Sequence, residues 1–128
     1  MPAPFIYIGT YEVAEGRLDD AKKSLAEHAE FVEANEPRLI SFHFYLDHDA
    51  RTVTIVQVHP DSASMDFHMQ LIAEHITSAL GDYLGAPVRT LVCGQGKETV
   101  DTIRSFSPEA PVSVATEHIA GFTRTTAA

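Results

Sequence analysis

The sequence predicts an α+β fold: a four-stranded antiparallel sheet with two helices on one face, in the order β-α-β-β-α-β, followed by a tail. Three observations carry this. Short runs of alternating apolar residues recur at Phe5–Val13, Leu39–Leu46, Thr52–His59 and Val88–Cys93. Two longer segments carry apolar residues at helical spacing. Turn-forming residues separate the runs.

The first strand spans Phe5–Val13, with Phe5, Tyr7, Tyr11 and Val13 on one face and Ile6 and Ile8 on the other. Both faces are apolar, so both need cover. Glu15-Gly16 ends the strand. Arg17–Glu36 reads as a helix, with Leu18, Ala21, Leu25, Ala29 and Val32 in one stripe and His28 at its edge. Pro37 stops it, because the residue before a proline is pushed out of the helical region. In the second strand Ile40, Phe42, Phe44 and Leu46 face one way, and Ser41, His43 and Tyr45 the other. Asp47-His48-Asp49-Ala50 is a turn by composition and joins strands two and three as a hairpin. Pro60-Asp61-Ser62 follows, with Asp61, Ser62 or Ser64 as cap of a helix reaching about Leu80. Beyond Cys93, Gly94-Gln95-Gly96 breaks the pattern. Thr99–Phe106 then suggests one or two helical turns, and Val112–Ala115 a short strand.

This order is the split βαβ, ferredoxin-like arrangement. Residues 1–128 read as one domain, with a core at about 5–93 and a C-terminal extension at 94–128. Helices cover one face of such a sheet. Tyr7, Tyr11 and Tyr45 are expected on the other, where a second copy of the chain is the economical cover. Two sheets packed face to face make a dimeric α/β barrel. The apolar residues of the extension, Ile103, Phe106, Val112, Val114, Ile119 and Phe122, call for burial on the same subunit or a partner.

Composition narrows the partners. The chain has 9 basic and 18 acidic residues, a net charge of -9, so phosphate backbones and anionic membranes are poorly matched. Apolar content is 45%, and no run approaches the ~18–20 residues of a membrane span. The N-terminus MPAPFIYIG lacks the marks of a secretion signal. A single cysteine, Cys93, excludes an internal disulfide and fits the reducing cytoplasm.

His68 and His75 are the most informative pair. They lie seven residues apart on the second helix, about 10 Å at 1.5 Å per residue, on a side shared with Met65, Met69, Ile72, Ile76 and Ala79. Titratable groups on an apolar helix face point to a pocket between helix and sheet. The spacing suits proton transfer. It does not suit chelation, which needs i, i+3 or i, i+4, so no metal site is assigned. The structural alternative is that both imidazoles are simply hydrogen-bonded at the helix–sheet boundary. His43, Tyr45 and Ser41 form a polar strip that lines either the pocket or the interior of a dimer.

The Gly16 turn, the EANEPRLISFHFY run at Glu33–Tyr45, the strand VTIVQVH and the FHMQLIAEH run at Phe67–His75 resemble the antibiotic biosynthesis monooxygenase (ABM)-type dimeric α/β-barrel family. The likeness covers about residues 5–93. It departs at Glu36-Pro37-Arg38, where members often have Glu-Pro-Gly, and at His59, where a Trp is frequent. The helix-two histidine of the family corresponds to His68, and a second one to His75. The resemblance implies a cofactor-free monooxygenase acting on a compact aromatic or polyketide-like substrate. His68 and His75 would be catalytic, and His43, Tyr45, His59 and Ile72 would contact substrate. The heme-degrading branch needs an Asn near Gly9 and an aromatic residue at His68, so that activity is not expected. The alternatives are an isomerase or lyase using the same base, or a non-catalytic ligand-binding or oligomerisation module.

Overall fold

Strand β1 (Phe5–Val13) is the middle of the sheet. It pairs antiparallel with β3 (Thr52–His59) on one side and with β4 (Leu84–Cys93) on the other. β2 (Ser41–Asp47) forms a hairpin with β3 and is one edge. β5 (Val112–Ala115) pairs parallel with β4 and is the other edge. The strand order is β2-β3-β1-β4-β5, an open sheet within one chain. This computed structural model describes residues 3–75, 83–106 and 108–124. Sequence patterning expected four antiparallel strands with a short fifth segment. The fifth segment joins the sheet in parallel because α3 (Lys97–Ser105) provides the crossover that parallel pairing requires.

Helix α1 (Leu18–Asn35) buries Ala21, Leu25, His28 and Val32 on one stripe. Asp19 and Asp20 lie in its first turn, where the helix dipole favours negative charge. The helix closes with the Glu36 N–H donating to the Val32 carbonyl at 2.9 Å, and Pro37 prevents continuation. In the β2–β3 turn, Asp47 Oδ1 accepts the N–H groups of Asp49 and Ala50, both at 3.0 Å. α2 (Ser62–His75) is capped by Asp61, whose Oδ1 accepts the Ser64 N–H at 3.0 Å. The rest of the expected second helix, to Leu80, lies outside the described residues.

The helix side of the sheet holds two apolar clusters. One joins Phe5, Tyr7, Met65, Val92, Val100 and Ile103, so the C-terminal α3 shares a core with β1 and α2. The other joins Val13, Ala21, Leu25 and Val53. α3 is held to α2 by Thr99 Oγ1 donating to Asp66 Oδ1 at 2.8 Å. Gly96 lets the two helix starts meet, since a Cβ there would lie 2.7 Å from the Ser62 Cβ.

One expectation is corrected. Tyr7 and Tyr11 lie on the helix side, not opposite it: Tyr7 packs with Met65, Val100 and Ile103, and its hydroxyl meets that of Tyr11 at 2.6 Å. Gly9 makes this possible. A Cβ at Gly9 would stand 2.8 Å from the Tyr7 hydroxyl, so the tyrosine ring lies over bare backbone. Tyr45 is on the open face as expected and is 61% exposed. Of the extension's apolar residues, Ile103 is buried and Val112 and Val114 partly so. Phe106, Ile119 and Phe122 are exposed on the single chain.

Candidate functional site

The end of α1, the middle of β2, the end of β3 and the first turns of α2 converge on a buried polar network. Its hub is His68, which shares its helix side with buried Met65. His68 Nδ1 lies 2.6 Å from Glu36 Oε2, and both side chains are almost wholly buried. A carboxylate oxygen accepts, so Nδ1 carries the hydrogen and Nε2 is left as the basic nitrogen. No described residue bonds to Nε2. The Phe42 ring packs against the imidazole at 5.6 Å between centroids and holds its orientation.

His59 lies 6.0 Å from His68, ring to ring, and is fully buried. Its Nε2 is 2.8 Å from Gln57 Oε1 and its Nδ1 is 2.7 Å from Ser64 Oγ. The amide oxygen can only accept, so Nε2 donates to it and Nδ1 accepts the Ser64 hydroxyl. That pattern suits a neutral ring. Burial lowers its pKa to about 4, and the charge that a protonated His68 would carry works in the same direction. His28 completes the cluster from α1, 5.7 Å from the Phe42 ring. Its pKa is also lowered to about 4, by burial first and by His68 second. His28 Nδ1 and Glu36 Oε1 are buried without a hydrogen-bond partner among the described residues.

A second polar pair lies on the same side of the sheet. The Tyr7 and Tyr11 hydroxyls are bonded to each other at 2.6 Å. Burial pushes both phenols above their ordinary range, so both stay protonated.

The expected site residues therefore separate. His68 and His59 meet under α2. Ile72 lies one turn beyond His68, half-buried. His43 and Tyr45 sit on the other face of the sheet, with rings 6.2 Å apart. His75 ends α2, and its side chain lies outside the described part of the structure. A cleft of about 330 Å³ opens between α1 and the β2 edge, lined by Leu25, Ala29, Phe42 and Phe44, and the expected residues His43 and Tyr45 also border it along the β2 edge. It reaches Phe42 but not His68 itself. Among the described residues no group of three or more His, Cys, Asp or Glu side chains is placed to hold a metal ion. No helix among them is long and apolar enough to cross a membrane.

Sequence reasoning missed Glu36, Gln57, Ser64 and His28 as members of this network. For Glu36 a signal was present. The buried stripe of α1 runs Ala21, Leu25, His28, Val32, and its next position at helical spacing is Glu36. A carboxylate continuing an apolar stripe needs a buried partner.

No family model matches the chain, and no characterised protein matches it in sequence. Solved structures do match in fold. MupZ from Pseudomonas fluorescens superposes with a TM-score of 0.70 at 20% identity, over 99% of each chain. A candidate antibiotic biosynthesis monooxygenase from Caulobacter crescentus gives 0.57 at 18% identity, over 70% of this chain and 86% of that one. Another from Bordetella bronchiseptica gives 0.57 at 16% identity, over 71% and 93%. The likeness is one of structure rather than sequence: this chain has the α+β, ferredoxin-like fold of the ABM-type proteins.

Proposed function

We propose that this chain is a small-molecule enzyme of the ABM type, a cofactor-free monooxygenase in which His68 is the base. The observation that carries the reading is the buried His68–Glu36 pair, which fixes the tautomer and leaves Nε2 to take a proton. The substrate is a compact phenolic aromatic bearing an activated CH2 group. His68 accepts a proton from that CH2 carbon, whose negative charge the phenolic ring system delocalises, and Glu36 stabilises the imidazolium formed. The resulting carbanion passes one electron to dioxygen, and the radical pair joins as a carbon-bound peroxide. Loss of water leaves a ketone, so CH2 and O2 become C=O and H2O. His59 braces the site through Gln57 and Ser64, Ile72 forms its apolar wall, and His75 orients substrate. His43 and Tyr45 line the open face, where Ile6, Ile8, Val56 and Val58 await a second copy. The working unit is a homodimer, and the lone Cys93 suits the cytoplasm.

An oxygen-electrode assay with a hydroxyanthrone tests this. One O2 should be consumed per substrate, and His68→Ala should slow uptake at least ~100-fold. Equal rates in His68→Ala would overturn the assignment. Substrate conversion without oxygen uptake would point to an isomerase or lyase. A second reading, a ligand-binding module, is favoured by the cleft that stops at Phe42. Binding without any turnover would select it.

A further inference from the structure

The helix side of the sheet has a row that neither apolar cluster covers. Phe44, Ile55, Gly9 and Thr90 stand side by side on β2, β3, β1 and β4. One cluster packs over Tyr7 and Val92 on the row before it, and the other over Val53 on the row after it. Ile55 belongs to neither cluster and stays partly exposed on an inner strand, and Gly9 has no side chain to fill the gap. At the edge of this gap the Tyr7 ring lies over Gly9, and its hydroxyl meets that of Tyr11 at 2.6 Å. Two hydroxyls carry two hydrogens, and the bond between them uses one. Tyr11 is the more exposed of the two residues, so the second hydrogen is assigned to it. We propose that the Tyr11 hydroxyl, backed by Tyr7, is the oxygen-binding end of the site, donating a hydrogen bond to a substrate carbonyl conjugated with the CH2 group that His68 deprotonates. This rests on the reading of His68 as a carbon base, and it narrows the substrate class to a flat aromatic ketone.

The spacing suits such a molecule. His68 packs on Phe42 of β2, and Phe42, Gln57 and Tyr7 form the adjoining row. Base and phenols thus stand over strands two spacings apart, about 10 Å. A carbonyl set across one six-membered ring from a CH2 group reaches that far, with a hydrogen bond's length left at each end. The flat face lies along the Ile55–Gly9 row, where the backbone is bare, and Ile72, one turn past His68, is a wall.

The chemistry needs a group of this kind. When the C–H bond breaks, the proton goes to His68 Nε2 and the electron pair enters the ring system. The carbonyl π pair becomes a lone pair of the enolate oxygen. A donor already fixed in a dry site gives most to charge that develops there. Tyr11 keeps its own proton throughout, because burial holds both phenols protonated. Neutral phenols also suit a substrate that is neutral when it binds, as a chain of net charge -9 favours. Tyr7 is a positioning residue, which holds the Tyr11 hydroxyl through the bond between them.

Ketone binding tests this without turnover. The probe is 9-fluorenone, a flat ketone with no acidic CH2 group, and fluorene is the same frame without the oxygen. The intact chain should bind fluorenone the more tightly and move its infrared carbonyl stretch to lower frequency. Tyr11→Phe should weaken fluorenone binding about tenfold, leave fluorene binding unchanged, and return the stretch to its position in an apolar solvent. Tyr7→Phe should reduce the shift by a smaller amount. With a hydroxyanthrone under argon in D2O, Tyr11→Phe should slow exchange of the CH2 hydrogens at least ~100-fold. Tyr11→Leu replaces Tyr11→Phe if that variant loses its near-ultraviolet circular dichroism. The proposal is overturned if the intact chain does not prefer the ketone, if Tyr11→Phe keeps the shifted stretch, or if it exchanges the CH2 hydrogens as fast as the intact chain. Tyr11-dependent exchange without oxygen uptake in air would sink the monooxygenase reading and support this one.

Discussion

His43 and His59 sit on neighbouring strands of one hairpin, yet they live in different solvents. His43 points from β2 into the open face, beside exposed Tyr45. His59 points from β3 beneath α2, with both ring nitrogens bonded inside the protein and its pKa lowered to about 4. The residue type is the same; the covering helix makes the difference. Under α2 an imidazole can be fixed in one tautomer and denied water, as a base or its brace requires. On the open face it keeps its water until a second surface arrives.

The contrast predicts unequal costs. Glu36→Ala should have the largest effect, destabilising the fold by about 3 kcal/mol in urea unfolding, because it strands a buried imidazole without its acceptor. Glu36→Gln, which keeps an oxygen near Nδ1, should recover part of that. If Glu36→Ala costs less than His43→Ala, the contrast between the faces is wrong.

Acid should find the buried side next. The pKa values of His28 and His59 are lowered to about 4 from an ordinary 6.5, so between these values the unfolded chain binds protons that the folded one refuses. Their contribution to stability is complete above pH 6.5 and is lost as pH falls toward 4, on the order of 3 kcal/mol for each ring. Chemical denaturation across this range should show the loss, and His28→Phe should remove roughly half of its slope. An unchanged slope would mean that His28 is not held neutral.

Gly9→Ala should cost about 1–3 kcal/mol, since the new methyl must push the Tyr7 ring off the strand and part the two tyrosine hydroxyls. Near-ultraviolet circular dichroism should report the ring movement. The smallest effect belongs to His43→Ala on the isolated chain, about 0.5 kcal/mol or less, as befits an exposed side chain. A larger loss that appears only at concentrations where the chain self-associates would place His43 in a dimer contact.

Much of this was legible in the amino acids. β3 runs from Thr52 to His59 as its alternation demands, β5 occupies Val112–Ala115, and the stripe through Met65, His68 and Ile72 marked the inward side of α2. The faces of β1 were not legible. Period-2 alternation separates Phe5, Tyr7, Tyr11 and Val13 from Ile6 and Ile8, but with apolar groups on both sides it does not say which set lies under the helices. The site was half legible. Histidine announces itself, whereas Glu36, Gln57 and Ser64 look like surface residues until tertiary packing brings them beside His59 and His68.

The central place of β1 sets the order in which the chain can assemble. Phe5 pairs with His59 and Ile6 with Cys93, so β1 waits through a long stretch of synthesis for the strands on either side of it. The β2–β3 hairpin and the helices can form from local contacts while β1 waits, with both of its backbone edges open and both faces apolar. Its pairing with β4 can begin only when residues near 84–93 have emerged, and that is the stretch of synthesis in which a nascent chain of this protein is most exposed to capture by a neighbour. A chain stalled before residue 84 would carry its central strand as a sticky edge.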